Sequence, residues 1–427
     1  MNILLLGSGG REHAMAWKIS QSKLCAQLYI APGNPGTATC GENVAIGVND
    51  FAALAAFCKD KQVEMLVVGP EDPLVNGVYD FFKNDPALSH IVVVGPSAKA
   101  AQLEGSKAFA KAFMDRNGIP TAQYKEFTKE NYADGIAYLQ AHSLPIVLKA
   151  DGLAAGKGVV IAQTTEEAIA TFKDMIQEAR FGKASERVVV EQFLTGVELS
   201  VFALTDGKRY VLLPEAKDYK RIGEGDEGPN TGGMGAVSPV PFADASFMDK
   251  VIHKVVKPTI DGLYKEELVY KGFVFFGLIN VGGEPFVIEY NCRMGDPETE
   301  VVMPRLSSDL VELMLNMEKG ELENAHVQMD ERAAATVVLV SGGYPGDFEK
   351  GKKINGMTGS FNAETQVFYA GIASKNDHLE TNGGRVAAVT SYGKSIADAV
   401  ATSIAAIENI KFEGMAFRRD IGYEFKN

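Results

Sequence analysis

The sequence predicts an α/β protein that opens on a doubly wound parallel sheet and closes on a smaller β-rich part. Three observations lead there. Short Val/Ile/Leu runs alternate with helical patterns over the first hundred residues, glycine-rich turns separate the strands that follow, and the texture shifts again near residue 330. At 427 residues the chain also exceeds what one hydrophobic core organises, so roughly two to four domains are expected.

Asn2–Leu6, Leu28–Ile30, Met65–Val68 and Ile91–Val94 read as the opening strands. Near-continuous apolar strands need cover on both faces, which the intervening helices of a parallel sheet provide. This first domain is expected to end near residue 102. A helix over Ser106–Asn117 is stopped by Gly118 and Pro120. Strands Ile146–Lys149 and Val159–Ala162 flank the hairpin ADGLAAGKGVV, whose glycines and alanines predict flexibility; helix Thr165–Ala179 and strand Val188–Gln192 follow. The span 200–300 reads as strands alternating with turns, including the loop GPNTGGMG at Gly228–Gly235. Beyond 330, strands Ala335–Val340, Val367–Ala370 and Arg385–Thr390 surround GGYPG and NGG turns. A last helix sets Ile396, Val400, Ile404 and Ile407 on one face.

Composition narrows the function classes. Apolar residues at 46% and charged residues at 23% describe a folded globular chain. A net charge of −13 argues against a nucleic-acid or anionic-membrane partner, while leaving local basic clusters free to bind small phosphorylated ligands. No apolar run reaches the roughly 18 residues that span a bilayer. MNILLLGSGG lacks the basic start of a signal peptide and reads as a buried first strand, which points to a cytoplasmic protein. Cys25, Cys40, Cys58 and Cys292 form no CxxC pair, and the six histidines form no HExxH, so reduced structural thiols are expected rather than a zinc site.

The motifs are weak singly. Gly7-Ser8-Gly9-Gly10-Arg11 follows a strand as a dinucleotide turn would, but position 12 is Glu and the second strand ends without a ribose-binding acid. A tight strand–helix turn explains it as well as a phosphate site does. Gly156-Lys157 and Gly393-Lys394 both fail the P-loop pattern. Lys149 and Lys157 nevertheless flank a loop able to fold over a polyphosphate, against the plainer reading of surface lysines. The run from Val189 to Leu194 ends an apolar strand in a short linker whose backbone suits an adenine edge, and Glu198 suits ribose hydroxyls; solvated strand-end carboxylates remain the alternative. Lys217–Arg221 stands beside GPNTGGMG, a basic cluster next to a phosphate-sized loop. In VIEYNCRMGDPE the strand period puts Glu289 and Asn291 on one face with Arg293 continuing it, an oxygen pair suited to Mg²⁺ bridging phosphates.

Read in order, GSGGREHA, APGNPG, VGPEDPL, LEGSKAF, KADGLAAGKGV, DYKR, GPNTGGMGA, EYNCRMGDPE, GGYPG, NGGRV and RRDIGY resemble the ATP-grasp superfamily. Within it they resemble the phosphoribosylamine–glycine ligase family. The resemblance implies an ATP-grasp fold with an N-terminal Rossmann-like domain (1–102), an ATP-grasp domain (103–326, with a mobile subdomain at about 121–193) and a C-terminal closing domain (327–427). It implies ligation of glycine to 5-phosphoribosylamine through glycyl phosphate, with ATP as co-substrate and Mg²⁺ or Mn²⁺ as cofactor. Small molecules are then the only partners expected, and a monomer is the expectation. By the same resemblance Lys107, Lys149, Lys157, Glu191, Gln192, Phe193, Leu194, Glu198, Lys220 and Asn230 bind ATP, and Glu289 and Asn291 hold the metal. Arg293, Lys220 and Asp218 carry the chemistry, with Asp218 near the glycine amine and Asp296 also on substrate, while Gly9, Gly10 and Arg11 meet the substrate phosphate. The sequence departs from the family's Gln-Asp-His-Lys-Arg at Lys217 and Tyr219, has Met294 for Phe, and has Gly277 where many ATP-grasp enzymes place a second metal-binding acid. A different ATP-grasp ligase and a nucleotide-sensing module without turnover stand as alternatives, and a nicotinamide oxidoreductase third.

Overall fold

In the computed structural model, which describes residues 1–153, 158–178, 182–357 and 361–425, the first hundred residues wind as expected. Strands β1 (Asn2–Gly7), β2 (Gln27–Pro32), β3 (Glu42–Asn43), β4 (Val63–Val68) and β5 (Val92–Pro96) pair in parallel in the order β5-β4-β1-β2-β3. Successive side chains leave opposite faces of a strand. Leu4 and Leu6 of β1 therefore enter one apolar cluster and Ile3 and Leu5 the other, all four fully buried. β1 stays dry on both sides only because helices cover each.

The parallel sheet is not a closed unit. Downstream come β6 (Tyr124–Thr128), β7 (Ile146–Ala150), β8 (Val159–Ala162) and β9 (Arg187–Gln192), an antiparallel sheet ordered β6-β9-β7-β8. Helices Tyr132–Ala141 and Thr165–Ile176 cover it through Leu139, Phe172 and Ile176. The second of these helices was expected to reach Ala179, a residue outside those described. β10 (Val197–Thr205), β11 (Tyr210–Leu212), β12 (Lys217–Asp218), β13 (Gly235–Ser238), β14 (Tyr270–Val281) and β15 (Glu284–Asn291) follow. One edge of β14 pairs with β10 along its length; the other takes β5 at Tyr270 and Lys271 and then β15 from Phe275 to Val281. The opening parallel sheet thus continues antiparallel into a nine-stranded one.

Two expectations are corrected here. The span 200–300 is not strands and turns alone, because helices Ala245–Val251 and Lys257–Lys265, joined by a π-helical turn at Ile252–Val256, interrupt it. Phe247, Val251, Val255, Ile260 and Leu263 point to the core at the helical period that defines such a stretch. The closing sheet is likewise not built only from the residues after 326. Its strands β16 (Ala333–Val340), β18 (Thr365–Tyr369) and β21 (Arg385–Gly393) take in β12 and β13, in the order β12-β13-β16-β21-β18. β17 (Lys353–Ile354), β19 (Ile372–Lys375) and β20 (His378–Thr381) form a small separate sheet. Among the described residues no helix is long and apolar enough to cross a membrane.

Candidate active site

A cleft of about 520 Å³ lies between β7–β9 on one side and β10, β12, β14 and β15 on the other. Its floor is set by an irregularity in β15. Gly277 pairs with Glu289 and Leu278 with Val287, so Ile288 bulges out of register and its carbonyl accepts a hydrogen bond from Lys149 Nζ at 3.2 Å. A Cβ at Gly277 would lie 3.0 Å from Glu289 Cγ, so an acid there would press on Glu289. Glu289, Asn291 and Arg293 all line the cleft.

Among the described residues neither Glu289 nor Asn291 forms a side-chain hydrogen bond or ion pair. Burial works to raise the Glu289 carboxyl, but Lys220, Lys149, Lys107 and Arg293 outweigh it and hold it below the usual carboxylate range. Lys107 reaches the loop before β8 by donating to the Gly152 carbonyl at 2.9 Å. Its helix, Lys107–Arg116, starts where Ser106 Oγ accepts from the Phe109 amide.

Glu191 lines the cleft as well, with its side chain buried. Its carboxylate is 3% exposed and lies 3.0 Å from Lys149 and 3.0 Å from Lys111. A buried charge needs such partners, so the Glu191 side chain is occupied inside the protein, and Gln192, Phe193 and Leu194 present the cleft wall beyond it. Lys111, unforeseen from sequence, lines the same cleft; burial, with Lys149 beside it, brings its ammonium down to about 8 against the pull of Glu191. Its signal was available, since it stands one helical turn after Lys107.

β12 contributes the opposite wall. Lys220 Nζ donates to Glu198 at 2.6 Å, and Asp218, Glu198 and Glu289 raise its ammonium against the effect of burial. Asp218 is raised by burial and by Glu198 and Glu289. Glu298, buried and accepting from Ser200 Oγ at 2.9 Å, is pushed up to about 7 by burial and by Asp218. Asn230 lines this wall too.

At the far end Arg293 pairs with Glu104 at 2.9 Å and Glu71 at 3.3 Å, and Arg11 lies 3.9 Å from Glu71. Arg11 and Asp296 line the cleft, whereas Gly9 and Gly10 do not. The Gly9 amide donates to Glu12 Oε2 at 2.7 Å, so the carboxylate at position 12 takes the donor expected for a phosphate. Arg385, from NGGRV, also lines the cleft and pairs with Asp296 at 3.0 Å; it is a second residue the motif reading did not single out. Lys157 lies outside the described residues. Among those described, no group of three or more His, Cys, Asp or Glu side chains is arranged to hold a metal unaided.

Comparison with known proteins gives one consistent result. Family models of phosphoribosylglycinamide synthetase match its N domain to residues 1–104, its ATP-grasp (A) domain to 105–299 and its C domain to 334–424. Phosphoribosylamine–glycine ligases of Vibrio cholerae and Haemophilus influenzae are each 47% identical over 426 residues, covering 99% of this chain and 98% of theirs. The crystal structure of the phosphoribosylamine–glycine ligase from Thermotoga maritima has a TM-score of 0.83 at 36% identity, over 99% of this chain and 100% of that one. A biotin carboxylase domain of Hydrogenobacter thermophilus 2-oxoglutarate carboxylase, solved with MgADP and bicarbonate, shares the fold at a TM-score of 0.73 and 16% identity, over 97% of this chain and 91% of that one.

Proposed function

This chain belongs to the phosphoribosylglycinamide synthetase family, and from that premise we propose how its cleft performs the family's reaction. It is an ATP-dependent ligase that joins glycine to 5-phosphoribosylamine, giving phosphoribosylglycinamide, ADP and phosphate in purine biosynthesis. The observation that carries the site assignment is the convergence of Lys107, Lys149, Lys220 and Arg293 on one carboxylate, Glu289, inside the cleft.

A carboxylate resists attack by an amine because it is negatively charged and has no good leaving group. The glycine carboxylate oxygen first attacks the γ-phosphorus, ADP leaves, and glycyl phosphate forms. The amine nitrogen of phosphoribosylamine then attacks the acyl carbon, the bond to phosphate breaks with its electron pair, and the nitrogen gives up one proton. Lys107, Lys149 and Lys220 hold the phosphates, and Arg293 faces the acyl-phosphate oxygens, so positioning and charge neutralisation do most of the work. Gln192, Phe193 and Leu194 line the nucleotide end with Glu198 and Asn230 opposite. Asp218, beside Glu298, faces the glycine ammonium: a cation there relieves the repulsion that raises both carboxyls. Arg11 and Asp296 approach the phosphorylated amine.

Glu289 and Asn291 offer unpaired hard oxygen donors on one strand face and would hold Mg²⁺ or Mn²⁺. Bound there, the metal would supply charge neutralisation for the phosphoryl oxygens. Four cations around Glu289 would disfavour a metal ion there without the nucleotide's negative charge beside it. The four free cysteines fit the reducing cytoplasm. The test is ADP release with glycine and phosphoribosylamine generated in situ. Release only when both are present supports the ligase; tight nucleotide binding without turnover supports a sensing module.

A further inference from the structure

The wall that carries Asp218 and Lys220 rests on a short strand. β12 is two residues long and sits at the edge of its sheet, held to β13 by the pairs Lys217↔Val237 and Asp218↔Ala236. So short an edge strand does not by itself fix side chains to the tolerance that catalysis needs. Alternation sends Asp218 and Lys220 into the cleft and turns Lys217 and Tyr219 the other way, both buried.

That outer face is covered by the segment Arg418–Phe425. One carboxylate, Glu424, pairs with Lys217 Nζ at 2.8 Å and accepts from the Tyr219 hydroxyl at 2.8 Å. The Lys217 ammonium lies 3.9 Å from the Tyr219 ring centre, which locks the three groups together. Lys217 and Tyr219 thus both meet at Glu424.

The same segment grips the loop further on. Arg418, 1% exposed, pairs with Asp226 at 2.7 Å and donates to the Arg221 carbonyl at 3.1 Å. Asp420 accepts from the Gly225 amide at 2.7 Å, and Tyr423 donates to Asp226 at 3.0 Å. Eight consecutive residues thus fasten both the start and the middle of the loop that bears Asp218, Lys220 and Asn230. Glu424 itself does not line the cleft.

We propose that Arg418–Phe425 is a strap that positions Asp218 and Lys220, with Glu424 as a positioning residue for the ligation. The kinetic readout rests on the ligase reading; a structural readout does not. In the full chain, Glu424→Ala is expected to lower kcat by about tenfold and raise the glycine KM by several fold, while the phosphoribosylamine KM stays within about twofold. Glu424→Gln, whose amide oxygen still accepts from Tyr219, is expected to recover much of that loss. In a double-mutant cycle with Asp218→Asn the effects on glycine KM are expected to be non-additive. Hydrogen exchange at the Tyr219 and Met234 amides, which bond to the Gly235 and Tyr219 carbonyls, is expected to quicken in Glu424→Ala even without substrates. Should Glu424→Ala fail to fold, Tyr219→Phe removes one hydrogen bond and is read the same way. Wild-type kinetics in an altered strap, equal losses for all substrates, or full additivity with Asp218→Asn overturns the proposal. So does unchanged exchange at Tyr219 and Met234, even in a protein whose wild type makes no ADP.

Discussion

The carboxylate of Glu191 and the ammonium of Lys149 face each other 3.0 Å apart, both nearly closed to water. Lys149 also donates to the bulged Ile288 carbonyl, so this one pair ties the β6–β9 sheet to the strand that carries Glu289.

Breaking that pair is expected to disturb stability and nucleotide binding together. Glu191→Gln leaves the Lys111 and Lys149 ammonium groups facing a neutral amide, at a cost of about 3 kcal/mol or more. A lower melting temperature and weaker ATP binding by calorimetry are the expected outcomes. Lys111→Met spares the Lys149 contact and is expected to cost less. An unchanged melting temperature in Glu191→Gln would show that the pair carries no weight.

Glycine binding is expected to strengthen as pH rises. The Glu298 carboxyl, pushed up to about 7 by burial and by Asp218, gives up its proton as pH passes through that value. Only then does it add negative charge beside the glycine ammonium. The glycine KM is expected to fall through about pH 7 in the wild type and to lose that step in Glu298→Gln. Identical pH profiles in the two proteins would remove Glu298 from the glycine subsite.

Stability has its own pH signature at Glu300. Burial and then Asp296 raise its carboxyl well above the ordinary 4.5, and among the described residues its Oε2 has no hydrogen-bond partner. The folded protein prefers the protonated acid. Its contribution is complete below the unfolded value and is lost as pH climbs towards the folded one. Glu300→Gln keeps a neutral side chain at every pH. Its melting temperature is expected to gain on the wild type as pH rises above 4.5, and parallel Tm–pH curves would refute this.

Metal binding is expected to require nucleotide. Titrating Mn²⁺ into the free protein is expected to give no site at Glu289, because Lys107, Lys149, Lys220 and Arg293 repel it. Adding ADP supplies the missing negative charge and is expected to create the site. Glu289→Gln is expected to weaken Mn²⁺ in that ternary state with little change in melting temperature. Tight Mn²⁺ binding to Glu289 without nucleotide would contradict the assignment.

What was legible in the sequence was local. Alternation along β15 put Glu289 and Asn291 together, and the apolar runs marked β1, β2, β4 and β5, because both patterns repeat over a few residues. The helices over 245–265 were equally local and were missed among the surrounding turns. Lys111 needed only the helical period from Lys107. Other features had no short-range trace: β14 joining β5, β12 and β13 entering the closing sheet, Glu71 and Glu104 holding Arg293. Each depends on partners about one hundred residues or more apart, which no window of sequence brings together. The burial of the Glu191 side chain likewise had no short-range trace, since the packing of Lys111 and Lys149 encloses it.

The borrowing of β12 and β13 by the closing sheet limits how this chain can be divided. β16 reads AAATVVLV, uncharged and buried along its whole length, and four of its residues pair with β13. Cleaved or expressed from residue 327 onward, the remaining piece would keep β16 but lose the two strands that complete its sheet. An uncharged, β-prone edge laid bare in this way recruits other chains. Such a fragment is expected to precipitate alone and to stay in solution when co-produced with the rest of the chain, so the split halves would act as each other's chaperone.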